Sequence, residues 1–465
     1  MTKNNIAADN TVFVILSFEG PDSYSLAGGL GVRVANLSQT LAREGFPTHL
    51  FFVGDPGLKG EEVSMGGNLI LHRWCQWISA YHPAGVYQGE NEKLRDYTES
   101  LPPYLLEHIL KPALKDEKIV VILAEEWHTA EVTCKINSLL HKHNLRDRVI
   151  LFWNANNTFG FERVNFKQLD KACTITTVSR FMKHAMWRTG LNPVVIPNGI
   201  PKSLLNRIES GLSADLRKEL SSDLVLTKIA RWDPDKRWNM AVEAAARLKA
   251  RGYKTKLVAR GGIEGYGDEV LYNARSLGLV VRDISAQCKT LEDYLNTLSA
   301  ASSQRADFLN LRFHCPQDFL RLLYHASNAV LANSGREPFG LVGLETMAAG
   351  GIAFTGSTGE DYAISFHNSI VLETSDPKEI ESYVVYLSSH PEEEEKIRKA
   401  ARHTAARFTW EQIIENLVQR LEYQAGIQEL ITVPKRIVAP AEKPSPKFPL
   451  PVSRKIMLEP DMQPV

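Results

Sequence analysis

Apolar residues along this chain fall into short unbroken runs separated by stretches of helical spacing. TVFVILS at 11–17, THLFFV at 48–53, IVVILA at 119–124, VILFW at 149–153 and CTITTV at 173–178 are continuous rather than alternating, and several are rich in β-branched residues. Continuous hydrophobicity is what a strand needs when helices cover both faces of its sheet, so these runs predict a parallel sheet. Between the first two, VRVANLSQTLARE (32–44) places Val34, Leu37 and Leu41 on one helical face before Gly45 ends it. The opening therefore reads as a βαβ unit.

The rhythm restarts after Pro197-Asn198-Gly199, a turn cluster behind the strand VVI. LVLTKIA (224–230), a helix over Asn239–Ala250, TKLVA (255–259), a helix near Phe319–Ala326 and AVLAN (329–333) follow. The predicted fold class is α/β: two facing doubly wound Rossmann-like domains, 1–197 and 198–410, with an interdomain cleft. TWEQIIENLVQRLEY carries Ile413, Ile414, Leu417, Val418 and Leu421 on one side, which predicts a helix at 411–425 packing back across the domains. Residues 426–465 read as a Pro-rich flexible tail, since eight of the 23 prolines lie from Pro434 onward.

Composition narrows the function classes. A chain of 465 residues with 44% hydrophobic and 23% charged positions has the make-up of a soluble globular protein with more than one domain. Its 54 basic and 54 acidic residues cancel, so the broad positive field of a nucleic-acid binder is missing. Any anion must be held locally. Five widely spaced cysteines without a C-x-x-C pair fit buried thiols in a reducing compartment. The apolar run Val12–Leu16 is too short for a transmembrane segment or a signal-peptide core, and the expected location is cytoplasmic.

Two segments at strand ends carry the chemistry. Arg336-Glu337-Pro338-Phe339-Gly340-Leu341 follows AVLAN and leads through Glu345 to Met347-Ala348-Ala349-Gly350. A helix starting near Leu341 would aim its first N–H groups at an anion, with Glu337 in the loop and Glu345 about a turn inside. Lys228-Ile229-Ala230-Arg231-Trp232-Asp233-Pro234-Asp235-Lys236 follows LVLTKIA in the same way, so that Arg231 as a fork and Lys236 as a point charge can share one diphosphate. Asp233-Pro234-Asp235 also has the D-x-D form of a divalent-cation site, but Pro234 makes it a tight turn and Lys236 and Arg237 already supply positive charge. No metal is expected. In the first half, Leu26-Ala27-Gly28-Gly29-Leu30-Gly31 is a glycine loop between strand and helix, and Glu125-Glu126-Trp127-His128-Thr129 ends another strand.

In this order the segments resemble the glycogen-synthase-like group of retaining glycosyltransferases (glycosyl transferases group 1 type), across most of residues 11–425. The motifs are the Gly-Gly loop (28–31), E-W-H-T (126–129), T-V-S-R-F-M (177–182), I-P-N-G-I (196–200), R-W-D-P-D-K (231–236), E-P-F-G-L-x-x-x-E (337–345) and F-T-W (408–410). The resemblance implies the GT-B architecture, a nucleotide-diphosphate sugar as donor, and a carbohydrate or other hydroxyl acceptor. It implies no separate cofactor and no nucleic-acid partner, with transfer of a hexosyl group, glucosyl in the α-glucan synthases. Catalytic roles fall to Glu337, Arg231 and Lys236. Donor binding falls to Glu345, Gly340, Leu341, Gly29, Thr358 and Gly359, and the candidate sugar or acceptor contacts are Glu126, His128 and Asn154.

The chain departs from the group at three places. The lysine of K-x-G-G is absent from Leu26-Ala27-Gly28-Gly29, Asn154 stands where a histidine often lines the sugar site, and Thr358-Gly359-Glu360 replaces a Gly-Gly turn. Two other readings compete: a catalytically silent GT-B scaffold, and a Rossmann oxidoreductase, which lacks its glycine fingerprint directly after the strand.

Overall fold

The computed structural model describes residues 4–302, 305–356 and 359–432. Its first sheet holds β1 (Thr11–Leu16), β2 (Thr48–Val53), β3 (Glu61–Ser64), β4 (Leu69–Trp74), β5 (Ile119–Glu125), β6 (Val149–Ala155), β7 (Thr174–Thr177) and β8 (Val194–Val195) in the order β3-β4-β2-β1-β5-β6-β7-β8. All pairs are parallel except β3 with β4. β1, β5 and β6 are buried at every position, which is why their sequences run apolar without alternation. Phe13, Ile15, Val121 and Leu123 face the helices Gly29–Arg43 and Trp410–Ile427, while Val14, Leu16, Val120 and Ile122 face Glu90–Leu105 and Ala130–Lys142.

The second sheet contains β9 (Leu224–Ile229), β10 (Thr255–Arg260), β11 (Val281–Ile284), β12 (Phe308–Leu311), β13 (Ala329–Ala332), β14 (Ala353–Thr355) and β15 (Ile370–Val371), ordered β11-β12-β10-β9-β13-β14-β15 with every pair parallel. Leu224 and Leu226 pack toward Trp238–Ala250 and Pro377–Ser388, and Val225 and Val258 toward Gln317–Ala326.

Both sheets wind outward in opposite senses from a central pair, β1 with β5 and β9 with β13. At such a switch point the loops beyond the strands' carboxyl ends diverge and leave a crevice. The glycine loop and Glu125-Glu126 leave one crevice; the segments 230–237 and 333–340 leave the other. The chain crosses between the domains twice, and the crossings pair with each other: Ile200 N–H donates to Phe408 O at 2.8 Å and Trp410 N–H to Ile200 O at 3.0 Å. The helix Trp410–Ile427 then buries Ile413, Ile414, Leu417 and Leu421 against the first sheet. Thr358 and the chain beyond residue 432, most of the expected tail, lie outside the described residues.

Candidate active site

A cleft of about 690 Å³ runs between the two switch points. Its first-domain wall includes Glu19, Gly29, Tyr87, Glu90, Glu126, Trp127 and His128, and its second-domain wall Arg231, Lys236, Arg336, Glu337, Gly340 and Leu341. The wall charges are opposed. The first domain contributes three carboxylates and, among the described lining residues, no Lys or Arg, whereas the second contributes three cations and one carboxylate.

On the cationic wall, Pro234 opens a single tight turn whose start is capped by Asp233, its carboxylate accepting Asp235 N–H at 2.8 Å. That turn delivers Lys236 to Glu337, with Nζ and Oε2 3.2 Å apart. The backbone joins the same two loops, since Gly335 N–H donates to Asp235 O at 2.7 Å. Arg231 is anchored through its carbonyl, which accepts from Trp238 Nε1 at 2.8 Å, and its side chain shares the cleft. Gly340 caps the helix Leu341–Ala348 with φ +81°, a left-handed conformation that glycine adopts without penalty. Tyr362 donates its hydroxyl to Gly340 O at 2.5 Å, and a Cβ on Gly343 would sit 2.6 Å from that hydroxyl oxygen. Gly343→Ala is therefore expected to displace Tyr362 and loosen the helix start, costing about 1–3 kcal/mol. Thermal unfolding checks it, and an unchanged midpoint would show that Tyr362 does not hold this turn.

Glu345 lies four residues beyond Leu341 and outside the cleft lining; burial pushes its carboxyl up to about 7. Gly359 begins the turn that carries Tyr362, accepting Tyr362 N–H at 3.0 Å, and also stands outside that lining.

On the acidic wall Glu126 has φ 71° and ψ 169°, a region populated almost only by glycine and costing about 1–3 kcal/mol for other residues. Its own carboxylate braces the strain, accepting Asn156 N–H at 2.6 Å and Asn157 N–H at 3.0 Å. Burial nevertheless pushes that carboxyl up to about 8, with the Glu125 charge adding to the shift. The His128 ring lies against Phe18 (4.2 Å between centroids) and Trp127 (3.7 Å). Its Nε2 stands 2.9 Å from Glu90, whose carboxyl that bond holds below the usual carboxylate range. With Glu90 ionised, Nε2 carries the proton, leaving Nδ1 a buried acceptor with no partner among the described residues.

One expectation needs correction. Asn154 is not in the cleft lining: its amide nitrogen donates to Glu125 at 2.9 Å and its oxygen accepts from Thr176 at 2.9 Å, in the layer beneath. Gly29 does line the cleft, and at the helix N-terminus behind it Glu19 accepts the N–H groups of Gly28 at 2.9 Å and Gly31 at 3.0 Å. Glu19, also bonded by Tyr87, was missed. Its only signal is an acidic residue just past the β1 run.

Residues 214–404 match the family Glycosyl transferases group 1, and residues 27–204 match Glycosyltransferase Family 4. Both domains thus match glycosyltransferase families, and the chain has the GT-B fold. Among solved structures, this glycosyltransferase resembles sucrose-phosphate synthase from Thermosynechococcus elongatus at 18% identity and TM-score 0.62, over 90% of this chain and 100% of that one. The catalytic domain of starch synthase IV from Arabidopsis thaliana, bound to ADP and acarbose, aligns at 15% identity and TM-score 0.60 over 90% and 99%. HepE from Anabaena, in complex with UDP and glucose, aligns at 14% and 0.55 over 88% and 98%. At these identities the likeness concerns the fold. No curated protein sequence matches the glycosyltransferase. Among the described residues no helix is long and apolar enough to cross a membrane.

Proposed function

We propose that this glycosyltransferase moves a hexosyl group, glucosyl in our reading, from a nucleoside diphosphate sugar to a hydroxyl of an unphosphorylated carbohydrate, with retention of configuration, without a metal and in the cytoplasm. The observation that carries the reading is the Lys236–Glu337 pair at 3.2 Å, sharing one wall with Arg231 and facing an acidic wall across the cleft. A diphosphate belongs beside Arg231 and Lys236, where fixed cations meet the charge that grows on the leaving group. That places the sugar near Glu337. The acceptor then stands against Glu126, His128 and Glu90, a wall whose described lining residues include no Lys or Arg to hold a phosphorylated sugar but can bond hydroxyls.

In the step we favour, the acceptor oxygen bonds to the anomeric carbon as the carbon–oxygen bond to the diphosphate breaks on the same face. The nucleoside diphosphate leaves with the electron pair, and the acceptor proton passes to its departing phosphate oxygen. Starch synthase IV with ADP and HepE with UDP and glucose carry nucleotides of the class we assign to this cleft.

Nucleoside diphosphate release tests the reading, with UDP-, ADP- and GDP-glucose offered alongside glucose or fructose, maltooligosaccharides and the matching hexose 6-phosphates. Neutral acceptors should raise release from one donor, give an α-linked product by NMR and be unaffected by EDTA. Faster release with the phosphorylated member of a pair would overturn the acceptor assignment; loss of activity in EDTA would overturn metal independence.

A further inference from the structure

Lys228 is the next-to-last residue of β9 and is only 1% exposed. An ammonium taken out of water costs several kcal/mol unless its surroundings replace the lost solvation. Here the replacements are neutral. Nζ donates to Leu331 O at 3.0 Å and to Asn333 Oδ1, and it lies 5.3 Å from the centroid of the Trp238 ring. The Asn333 amide is itself fixed, its nitrogen reaching Met240 Sδ at 3.4 Å. Among the described residues no carboxylate forms an ion pair with Lys228 at this depth.

An ammonium has three donor hydrogens, and those two bonds use two of them. Lys228 also lines a pocket of about 210 Å³ behind the cleft, together with Arg231, Lys236, Ser334, Glu337 and Gly340. Arg231, Lys236, Glu337 and Gly340 line the cleft as well, so the pocket is a rear extension of the same space. A strand position needing only apolar filling would be served more cheaply by Met or Leu. A buried cation without a counter-ion, opening onto a pocket that two further cations share, is instead matched to an arriving anion.

We infer that Lys228 is a third cation of the donor site, aiming its remaining N–H into the rear pocket so that the donor's diphosphate is gripped from beneath as well as by Arg231 and Lys236. The inference rests on the reading of the cleft as a nucleotide-sugar site and extends it to a residue at the end of the strand. Burial, with Lys236 and Arg237 assisting and Glu337 opposing, lowers this ammonium to about 7. Arg231 faces the same pocket, and the neighbouring helices present Trp238 and Met240, which do not titrate, and Glu345, which burial raises to about 7. The charge on Lys228 is therefore present below neutrality and lost above it. Donor affinity should follow it downward as pH rises.

The test is the affinity of the full chain for a sugar nucleotide between pH 6 and 8.5, by calorimetry. UDP-, ADP- or GDP-glucose is used, whichever binds tightest, because a diphosphate diester keeps a constant charge over this range. Wild-type affinity should fall about tenfold from pH 6 to 8.5, the scale of one charge-assisted contact. Lys228→Met should bind about as weakly at pH 6 as wild type does at pH 8.5, with a flat profile. Lys228→Arg, charged throughout, should stay tight and flat, and it carries the test alone if the Met variant fails to fold. A flat wild-type profile, or the wild-type slope surviving in either variant, would overturn the proposal. Absence of sugar-nucleotide binding to wild type at any pH would sink the donor site itself, and this assignment with it.

Discussion

Glu337→Gln is expected to lower turnover by about 10²–10³-fold, the usual range for losing one preorganised electrostatic contact, while nucleoside diphosphate affinity stays within about threefold of wild type. The amide keeps the carboxylate's shape and can still accept from Lys236, now 3.2 Å from Glu337 Oε2. Removed is the negative charge, which in our reading lies closest to the sugar as positive charge develops at its anomeric carbon. The Lys236 ammonium, no longer offset by a neighbouring anion, should hold a diphosphate at least as well as before. Rate and binding thus separate. kcat from nucleoside diphosphate release and Kd from calorimetry measure the two independently, and a variant turning over at the wild-type rate would remove Glu337 from the chemistry.

Arg231→Ala should show the complementary pattern, a loss of about 10–100-fold in donor affinity, corresponding to about 1.5–3 kcal/mol for a hydrogen bond to a charged group. Lys236 is already engaged with Glu337, and Arg336, the other guanidinium of this wall, lies on the Glu337 loop instead of at the end of β9. The loss should shrink at high salt, because a partly exposed ion contact is screened over about 10 Å at 0.1 M. Thermal shift with UDP, ADP and GDP reads the effect directly. Stabilisation equal to that of wild type would mean that Arg231 faces the cleft without touching the phosphates.

Some of this site was legible without coordinates because each half of the cationic wall is contiguous in the chain. Arg231 and Lys236 follow one buried apolar run, and Glu337 and Gly340 follow another, so knowing that parallel strands end at a shared edge was enough to bring them together. Helix starts were legible for a similar reason: Gly340 breaks the chain just before Leu341, where the helix begins. The acidic wall was harder to read. Glu19 meets the N–H groups of Gly28 and Gly31, nine and twelve residues onward, only once the chain has turned back over β1. Asn154 is engaged within the sheet because the register sets it between Glu125 of β5 and Thr176 of β7, and its amide bonds to both. β4 escaped notice because LILHRW carries His72 and Arg73, polar side chains that look misplaced in a buried strand. Arg73 is tolerated there by Asp22, at 2.8 and 2.9 Å, and by Glu62.

What the amino-acid sequence determined by itself, then, is whatever depends on spacing along the backbone: the buried strands, the helices between them, the two-domain α/β plan and the segments that strand ends carry into the crevice. Tertiary structure alone decided which carboxylates are spent on the protein's own N–H groups, which polar side chains lie beneath the cleft instead of in it, and how deep Lys228 sits. The division has a physical cause. Burial of apolar surface is set by local periodicity, whereas the state of a charge is set by partners and water exclusion contributed from distant parts of the chain.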